Sequence, residues 1–460
     1  MSTAKAIGKG IVWGTTASVV GKCVVLFNIF LILRTLSVYE YGLSELVFST
    51  ISVMSIILLP GLSTVILSDI SLERAQNNHA KMRSVFRQFF LLNLILSVLA
   101  WSVLFFGSSY AAQLAGNGTI EYFLKIVSFT FLVSPFRMAA QLLAGFELRF
   151  FDQSFYSVVE ELFKAFLLCI FLLFLHLAID GLLFAVVLSQ VLAVLVFTPR
   201  TIRAYRRMGT QTTDDVEPIW KLLGSHRKWG IASSYVSNIT QAAQVWLIRL
   251  VLGTEAVGLF AFASGIVSQV SSFQPLSSVL SPILPAYIKK KQEFSALIRT
   301  SIKFQLAFGL VLVVLGYIGL PVLIYIFPKY AAAVPLTQIL LLTVVVSGVA
   351  ALFNPVFSAM QRQIVLLYSG ILKLVLTFIL FTISMLVFGI PGIGYASIII
   401  FIIIITERIW RLKREIPDFT FSISDLYTFS SDEKRYIKLL LNIVTKKWSW
   451  LPSKYENRSH

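Results

Sequence analysis

Apolar runs of at least 18 residues recur along most of this 460-residue chain, and each is long enough to cross a hydrocarbon core ~30 Å thick. Hydrophobic residues make up 57% of the chain and charged residues 13%, which leaves too little polar surface to coat a water-soluble globule. The sequence therefore predicts an all-α polytopic membrane protein. Twelve transmembrane spans are expected near 11–33, 42–66, 88–111, 121–143, 154–177, 180–198, 229–252, 257–280, 304–326, 335–358, 364–388 and 391–408.

The first span and the corner after it, residues 13–43, occur a second time 216 positions later. Nine of these 31 aligned positions are identical, among them Gly42 with Gly258. Each half holds six spans, an even number, so both halves enter the membrane from the same side. Parallel repeats of this kind predict two six-helix lobes around an axis along the membrane normal, with a cavity between them. We expect lobes at 1–210 and 211–410, and a cytoplasmic tail at 411–460.

The positive charge is distributed by membrane side. The formal net charge is +17, which could suggest nucleic acid, but 31 of the 39 lysines and arginines fall in segments on one side of the predicted membrane. At most four fall on the other side, so the positive-inside rule places both termini and the 199–228 connector in the cytoplasm. The expected partner is membrane lipid and not nucleic acid. In the tail, residues 434–448 have the pattern of an amphipathic helix on the inner leaflet.

Two lysines lie near the middle of predicted spans without an acid on their own helix: Lys22 in the first span and Lys373 in the eleventh. A charge at that depth costs about 2.5–3.5 kcal/mol on insertion scales. A water-filled or protein-lined cavity is the expected host, and neutralisation against a neighbouring helix is the alternative.

The fifth span carries Glu160, Glu161 and Lys164, and the fourth carries Arg137. Glu160 and Lys164 are four residues apart with the acid first, the favourable order for an ion pair on one helical face. That pair could simply neutralise two buried charges. Alternatively, a carboxylate released from its partner could take up a proton or a sodium ion.

The seventh span, which repeats the first, has a stripe of polar side chains at helical spacing. They are Ser234, Ser237, Asn238, Gln241 and Gln244. The repeat sets Asn28 opposite Gln244. Such a face could bind sugars, or it could join helices through hydrogen bonds worth only about 0.6 kcal/mol each in membranes.

The corner at residues 34–43, Arg-Thr-Leu-Ser-Val-Tyr-Glu-Tyr-Gly-Leu, and its counterpart at 249–259 resemble the Arg-x-Leu-Gly-Pro-x-x-Tyr-Gly corner of Wzx-type oligosaccharide flippases. These proteins form the polysaccharide-export branch of the MOP superfamily, which also holds MATE exporters and the MurJ lipid II flippase. Ser37-Val38 departs from the family's usual Gly-Pro, and Glu147-Leu148-Arg149-Phe150 is similar to the family's inner loop.

The resemblance implies a MATE-like fold and a transporter, not an enzyme. It would move a lipid-diphosphate-linked oligosaccharide, such as an O-antigen unit of lipopolysaccharide on undecaprenyl diphosphate, across the bacterial inner membrane. A proton or sodium counter-ion and a polysaccharide polymerase with assembly proteins are candidate partners, and no cofactor or metal is expected. Two alternatives stay open: a MATE-like cation exporter and a membrane polymerase or ligase of the same pathway.

Cations suit a diphosphate because charge-assisted hydrogen bonds are strong where water is excluded. A cation exporter should instead line its cavity with carboxylates, whereas the spans hold four cations against two acids in one helix. Glu160 and Glu161 are the candidate ion-coupling residues. The candidate substrate-binding residues are Lys22, Asn28, Arg34, Arg137, Lys164, Ser234, Asn238, Gln241, Gln244, Arg249 and Lys373.

The inward excess of cations yields a topology test. Single cysteines introduced at either terminus or in the 199–228 connector should react only with membrane-permeant thiol reagents in intact cells. A connector cysteine that an impermeant reagent labels from outside would overturn the predicted orientation.

Overall fold

The computed structural model describes residues 3–59, 62, 66, 79–146, 150–207, 228–274, 276–288, 290–416 and 419. Side chains are described for these residues except 3–18, 79, 145–146, 150–154, 278–279, 281–282 and 285–286. All regular structure in these ranges is helical, which confirms the predicted all-α class.

Six long helices form the first half: α1 (Thr3–Thr35), α2 (Val38–Met54), α3 (His79–Ala115), α4 (Thr119–Phe146), α5 (Phe150–Leu168) and α6 (Ala178–Arg206). A 3₁₀ turn at Ser55–Leu58 continues α2, and a π-helical turn at Cys169–Phe174 continues α5. The packing between α1 and α5 and the packing of α4 with α3 and α6 hold this half together.

The second half contains α7 (Lys228–Leu252), α8 (Thr254–Ser271), α9 (Leu276–Tyr287), α10 (Lys291–Ile326), α11 (Val334–Ala359), α12 (Gln363–Leu376), α13 (Thr382–Phe388) and α14 (Ile390–Glu415). A 3₁₀ turn at Pro328–Ala333 precedes α11, and a π-helical turn at Thr377–Phe381 joins α12 to α13. The fifth and eleventh predicted spans thus share a π turn, as expected of related halves. Here α7 packs on α12, and α11 packs on α10 and α14.

The predicted eighth span, 257–280, is not one continuous helix. The chain leaves helical geometry after Ser271, and α9 begins only at Leu276. Eight described helical stretches are long and apolar enough to cross a membrane. The first, fifth, seventh and eighth predicted spans are not among them. Of these four predicted spans, the fifth contains the acidic pair Glu160 and Glu161, and the seventh contains the polar stripe from Ser234 to Gln244.

At the corner between α1 and α2, Ser37-Val38 stands where the motif discussed above has Gly-Pro, and side-chain capping stabilises the start of α2. Ser37 is the N-cap of α2, and its hydroxyl accepts a hydrogen bond from the Glu40 amide at 3.2 Å. The Glu40 carboxylate in turn accepts from the Ser37 amide at 2.8 Å. This reciprocal capping box satisfies two backbone donors that would otherwise be unpaired at the helix start.

The two halves meet where α2 crosses α8, and the crossing is built on a repeated glycine. A Cβ atom added to Gly42 would overlap the Thr254 carbonyl oxygen and lie 2.7 Å from the Gly258 amide nitrogen. A Cβ atom added to Gly258 would overlap the Val38 carbonyl oxygen, and Val38 is the repeat counterpart of Thr254. The contacts are therefore reciprocal across the pseudo-twofold axis, and only glycine lets the two backbones come this close.

This crossing makes a stability prediction. Gly42→Ala and Gly258→Ala should each destabilise the protein by about 1–3 kcal/mol, because the methyl group meets backbone atoms and not a side chain that can rotate away. Thermal unfolding of detergent-purified protein would measure this. Gly265→Ala on α8 is the matched control, because a Cβ atom there has nothing within 4 Å, and we expect it to be neutral or stabilising. Equal behaviour of all three variants would show that the crossing tolerates side chains.

Candidate functional site

The two halves are fastened at the end of the bundle that contains the corners 35–38 and 252–254, here called the corner end. The Arg249 guanidinium of α7 donates to the Ala115 carbonyl at the end of α3, at 2.7 Å. Lys329 donates to the Arg34 carbonyl at 3.2 Å and also to the Leu36 carbonyl. These carbonyls belong to the last turns of α3 and α1, whose oxygens have no partner within the helix, and cations suit that position.

Both corner arginines were predicted to bind substrate, but in the structure the Arg249 side chain and the Arg34 backbone carbonyl take part in this closure. Arg249 caps a helix of the other half. The Arg34 side chain is exposed and lies over the Phe30 ring at 6.0 Å. Aromatic packing seals the same region, since Tyr330 stacks on Phe262 at 4.5 Å between ring centroids.

Lys22 also reaches the second half, but farther along α1 from the corner end. Its ammonium lies 3.4 Å from both the carbonyl oxygen and the hydroxyl of Ser272, and 5.0 Å from the centre of the Phe273 ring. Both residues belong to the break between α8 and α9. At 3.4 Å these hydrogen bonds are long, and no carboxylate pairs with Lys22 in the described part of the chain. The Lys22 ammonium is therefore available to pair with an anionic ligand.

The acidic pair of α5 is arranged differently from the prediction. Glu160 pairs with Arg137 of α4 at 3.3 Å, while Lys164 pairs with Glu161 at 3.8 Å. The predicted Glu160–Lys164 pair is therefore wrong. Packing of α5 against α4 brings the Arg137 guanidinium to Glu160, and this contact between helices replaces the contact along one helix.

Glu161 is also the link to α1. The Asn28 amide donates to the Glu161 carboxylate at 2.8 Å and to its backbone carbonyl at 3.2 Å. Asn28 is 1% exposed, and its side-chain oxygen is buried without a partner in the described structure. Asn28, Glu161 and Lys164 thus form a polar chain between α1 and α5, with one acceptor left unsatisfied.

Glu45, in the second predicted span, is a further acid that was not among the candidate site residues. It lies on α2 three residues beyond Gly42 and is within electrostatic range of Lys164 and Tyr41. The signal was a lone carboxylate in the apolar stretch after the corner. The comparison of four cations with two acids in one helix therefore left out Glu45.

The polar stripe of α7 divides into two kinds of residue. The Ser234 hydroxyl donates to the Gly230 carbonyl of its own helix, so it is already satisfied. Asn238 and Gln244 are half-buried and Gln241 is exposed, and none of the three makes a side-chain hydrogen bond within the described residues. Their amide groups are free to bind a polar ligand.

Lys373 lies apart from Lys22, because its ammonium sits 4.8 Å from the centre of the Phe401 ring of α14. Nearby on α14, Glu407 pairs with Arg411 and accepts from the Ser369 hydroxyl at 2.6 Å. Arg408 donates to Asn354 of α11 at 3.0 Å. Lys373 has no carboxylate partner in the described structure, and no described contact joins it to Lys22.

Several sequence predictions lie outside the described residues. These are the Glu147–Arg149 loop, most of the 199–228 connector and the 434–448 segment. Within the described part, no group of three or more histidine, cysteine, aspartate or glutamate side chains could hold a metal ion.

Comparisons with known proteins agree with this architecture. The family model described as "Polysaccharide biosynthesis protein" matches residues 7–288. No curated protein sequence matches the chain significantly.

The fold is similar to three solved structures of low sequence identity. The first is an inward-facing multidrug resistance MATE family transporter of the MOP superfamily, with a TM-score of 0.70, 14% identity and coverage of 86% of this chain and 96% of that one. The lipid II flippase MurJ in an inward closed conformation gives 0.69 and 13%, with coverage of 95% and 97%. A MOP superfamily transporter from Pyrococcus furiosus gives 0.66 and 14%, with coverage of 90% and 97%. At these identities the likeness shows the fold, and it confirms the predicted MATE-like arrangement.

The pairing of Glu160 predicts the outcome of two double-mutant cycles on thermal stability. Arg137→Gln with Glu160→Gln should show a coupling of about 0.6 kcal/mol or more, the range seen for polar pairs within membranes. Lys164→Gln with Glu160→Gln should show a smaller coupling, because these two side chains make no direct ion pair. A larger coupling of Glu160 to Lys164 than to Arg137 would instead indicate an ion pair between Glu160 and Lys164 on α5.

Proposed function

This chain belongs to the polysaccharide biosynthesis protein family, and on that premise we propose that it is a flippase for a lipid-diphosphate-linked oligosaccharide. The substrate would pass from the inner to the outer leaflet of the bacterial inner membrane. The observation that carries the proposal is Lys22: a cation in the first predicted span, without a carboxylate partner in the described structure, whose ammonium lies at the junction of the two halves.

The chemistry of a diphosphate suits this position. It offers several anionic oxygens, and charge-assisted hydrogen bonds to an ammonium are about twice as strong as neutral ones. The Lys22 contacts with Ser272 are at the long limit for hydrogen bonds, so an anion could replace them at little cost. Among proteins of this fold, MurJ is named a lipid II flippase, and the transporter from Pyrococcus furiosus is described by a reverse polarity of its binding pocket that suggests a different function.

In the proposed cycle, the substrate enters from the cytoplasmic side while the corner end is closed. The diphosphate binds Lys22, and the free amides of Asn238, Gln241 and Gln244 hydrogen-bond the sugars. Lys373, on the other half, is a second candidate contact for the anion. The corner end then opens, so that Arg249 leaves Ala115 and Lys329 leaves the end of α1. Alternating exposure of this kind is a rearrangement of two lobes about a fixed site.

We place ion coupling in the polar chain between α1 and α5. Glu161 is held between Asn28 and Lys164, and Glu45 approaches the same lysine from α2. A proton or a sodium ion bound by these oxygens would compete with Lys164 for the carboxylates. Glu160 is a weaker candidate because the Arg137 guanidinium already neutralises it.

A MATE-like cation exporter is the second candidate, and Glu45 is the observation that favours it. Among the described residues Glu45 has no ion pair within 4.0 Å, and a carboxylate inside the spans is a group that an organic cation could bind. Binding of a lipid-diphosphate sugar and of a cationic dye to purified protein separates the two functions. A flippase should bind the anionic sugar lipid and reject the cationic dye, and a cation exporter should do the reverse.

The flippase proposal predicts the behaviour of three variants. Lys22→Ala should abolish surface polysaccharide in a complemented deletion strain while the protein stays in the membrane. Lys22→Arg should retain part of the activity, because the charge survives with a wider donor fork. Ser272→Ala should be active, because the substrate and not the serine hydroxyl is the partner that matters.

Lys125→Ala is the matched control, since Lys125 pairs with Glu121 on its own helix at 2.7 Å. Normal polysaccharide with Lys22→Ala at wild-type abundance would contradict the proposal. Equal losses from Lys22→Ala and Ser272→Ala would make Lys22 a structural cap of α8.

Ion coupling makes a separate prediction for proteoliposomes with an imposed proton or sodium gradient. Glu161→Gln and Glu45→Gln should lose the stimulation by the gradient, because an amide keeps the shape but cannot change charge. Glu121→Gln on α4 should respond like the wild type. Full stimulation of both core variants would make the polar chain purely structural.

A further inference from the structure

A cavity of about 380 Å³ lies between α3, α4 and α6, away from the junction of the two halves. Its walls include Phe86, Phe90, Phe136, Val194, Thr198 and Tyr205. The hydroxyl of Thr198 donates to the Val194 carbonyl of its own helix at 2.7 Å, so this side chain leaves only its methyl group for a ligand. The cavity is therefore an apolar site of a size typical of bound small molecules.

The aromatic wall is firmly built. Phe86 packs against Tyr205 with 5.5 Å between ring centroids, and Phe90 meets Phe136 edge to face at 5.7 Å. Phe86 also belongs to a buried cluster with Met82 and Phe89. At the rim, Leu91, Phe136 and Ile202 are each close to half exposed, at 45%, 46% and 45%. An apolar rim of this kind suits a lipid-facing opening.

One end of the cavity is cationic. Arg87 lines it, is exposed, and has no carboxylate partner in the described part of the chain. Arg83 lies over the Tyr205 ring at 4.7 Å, and its Nε atom is buried without a hydrogen-bond acceptor. Arg203 and Arg206 are exposed in the last turn of α6, beside the lining residues Ile202 and Tyr205.

The depth of these groups matches the two parts of a phospholipid. The predicted spans 88–111 and 180–198 begin and end at the cavity, so Arg87 and Arg203 lie at the expected membrane boundary. Phe90, Leu91 and Val194 lie just inside the apolar region. A phosphate at the arginines would place an acyl chain along the aromatic wall.

We propose that this cavity binds an anionic glycerophospholipid of the cytoplasmic leaflet, with its phosphate on Arg83 and Arg87 and an acyl chain against Phe90 and Phe136. The site lies within the first half only and is separate from the transport path through the junction. It stands whether or not the chain is a flippase. The bound lipid would hold α3, α4 and α6 together at the end opposite the corner end.

Native mass spectrometry of the purified full chain tests the proposal, with phosphatidylglycerol and phosphatidylcholine of the same acyl chains as probes. Phosphatidylglycerol should bind about tenfold more tightly, because both lipids present the same phosphate but the choline of phosphatidylcholine adds a positive charge beside the arginines. Arg87→Gln should remove that preference, and Thr198→Phe should weaken both lipids by filling the cavity. Arg414→Gln is the matched control, because Arg414 stacks on Trp410 on α14 of the other half and should leave the preference unchanged.

Equal affinity for the two lipids, or an equal effect of Arg87→Gln and Arg414→Gln, would overturn the proposal and leave only general lipid contact. So would displacement of phosphatidylglycerol by an equimolar polyprenyl diphosphate, since the cavity would then belong to the transport path. Should Thr198→Phe fail to fold, a phosphatidylglycerol with a photoreactive acyl chain replaces it. Labelling of peptides that contain Phe90 or Phe136 supports the site, and labelling confined to other helices refutes it.

Discussion

The whole arrangement depends on the backbone contact between α2 and α8 at Gly42 and Gly258. At this point the two halves approach so closely that a single methyl group on either glycine would overlap a carbonyl oxygen of the other helix. In a membrane, where the lipid is as apolar as the helices, such close packing is a main source of helix association. The crossing fixes the pseudo-twofold axis, and it holds the corner end closed together with the Arg249 and Lys329 caps.

The acids and the lysines within the predicted spans have different kinds of partners. The acidic pair of α5 is satisfied within the first half, since Arg137 neutralises Glu160 while Asn28 and Lys164 hold Glu161. The surroundings of the cations differ: within the described residues Lys22 meets a hydroxyl, a carbonyl and an aromatic ring, and Lys373 lies over another ring. Lys22 and Lys373 have no carboxylate partner among the described residues, so their positive charge is available to an anionic ligand, which is the physical basis of the proposed preference for a diphosphate.

Much of the fold could be predicted from the sequence, because hydrophobic period and length alone determine membrane helices and because the repeat is preserved at the corner. The identity of Gly42 with Gly258 even marked the crossing, although its role as a backbone contact needed coordinates. The break after Ser271 has a signal in the sequence that the predicted span 257–280 did not use, because two serines, a glutamine and a proline interrupt the apolar pattern at 271–275. Ion pairs were less predictable, because they depend on which faces of neighbouring helices pack together. Glu160 pairs with Arg137 of α4 and not with Lys164 on its own helix. Glu45 went unnoticed because a single acid gives no spacing pattern.

The central claim is that transport requires the corner end to open. Its most direct measurement is a reversible cross-link across the closure, with cysteines at Ser37 and Lys329 in a chain whose Cys23 and Cys169 are replaced by serine. Joining the two positions with a short reducible cross-linker should stop movement of a lipid-diphosphate oligosaccharide across proteoliposomes, and reduction should restore it. Transport at the uncross-linked rate while the two positions stay joined would contradict the account.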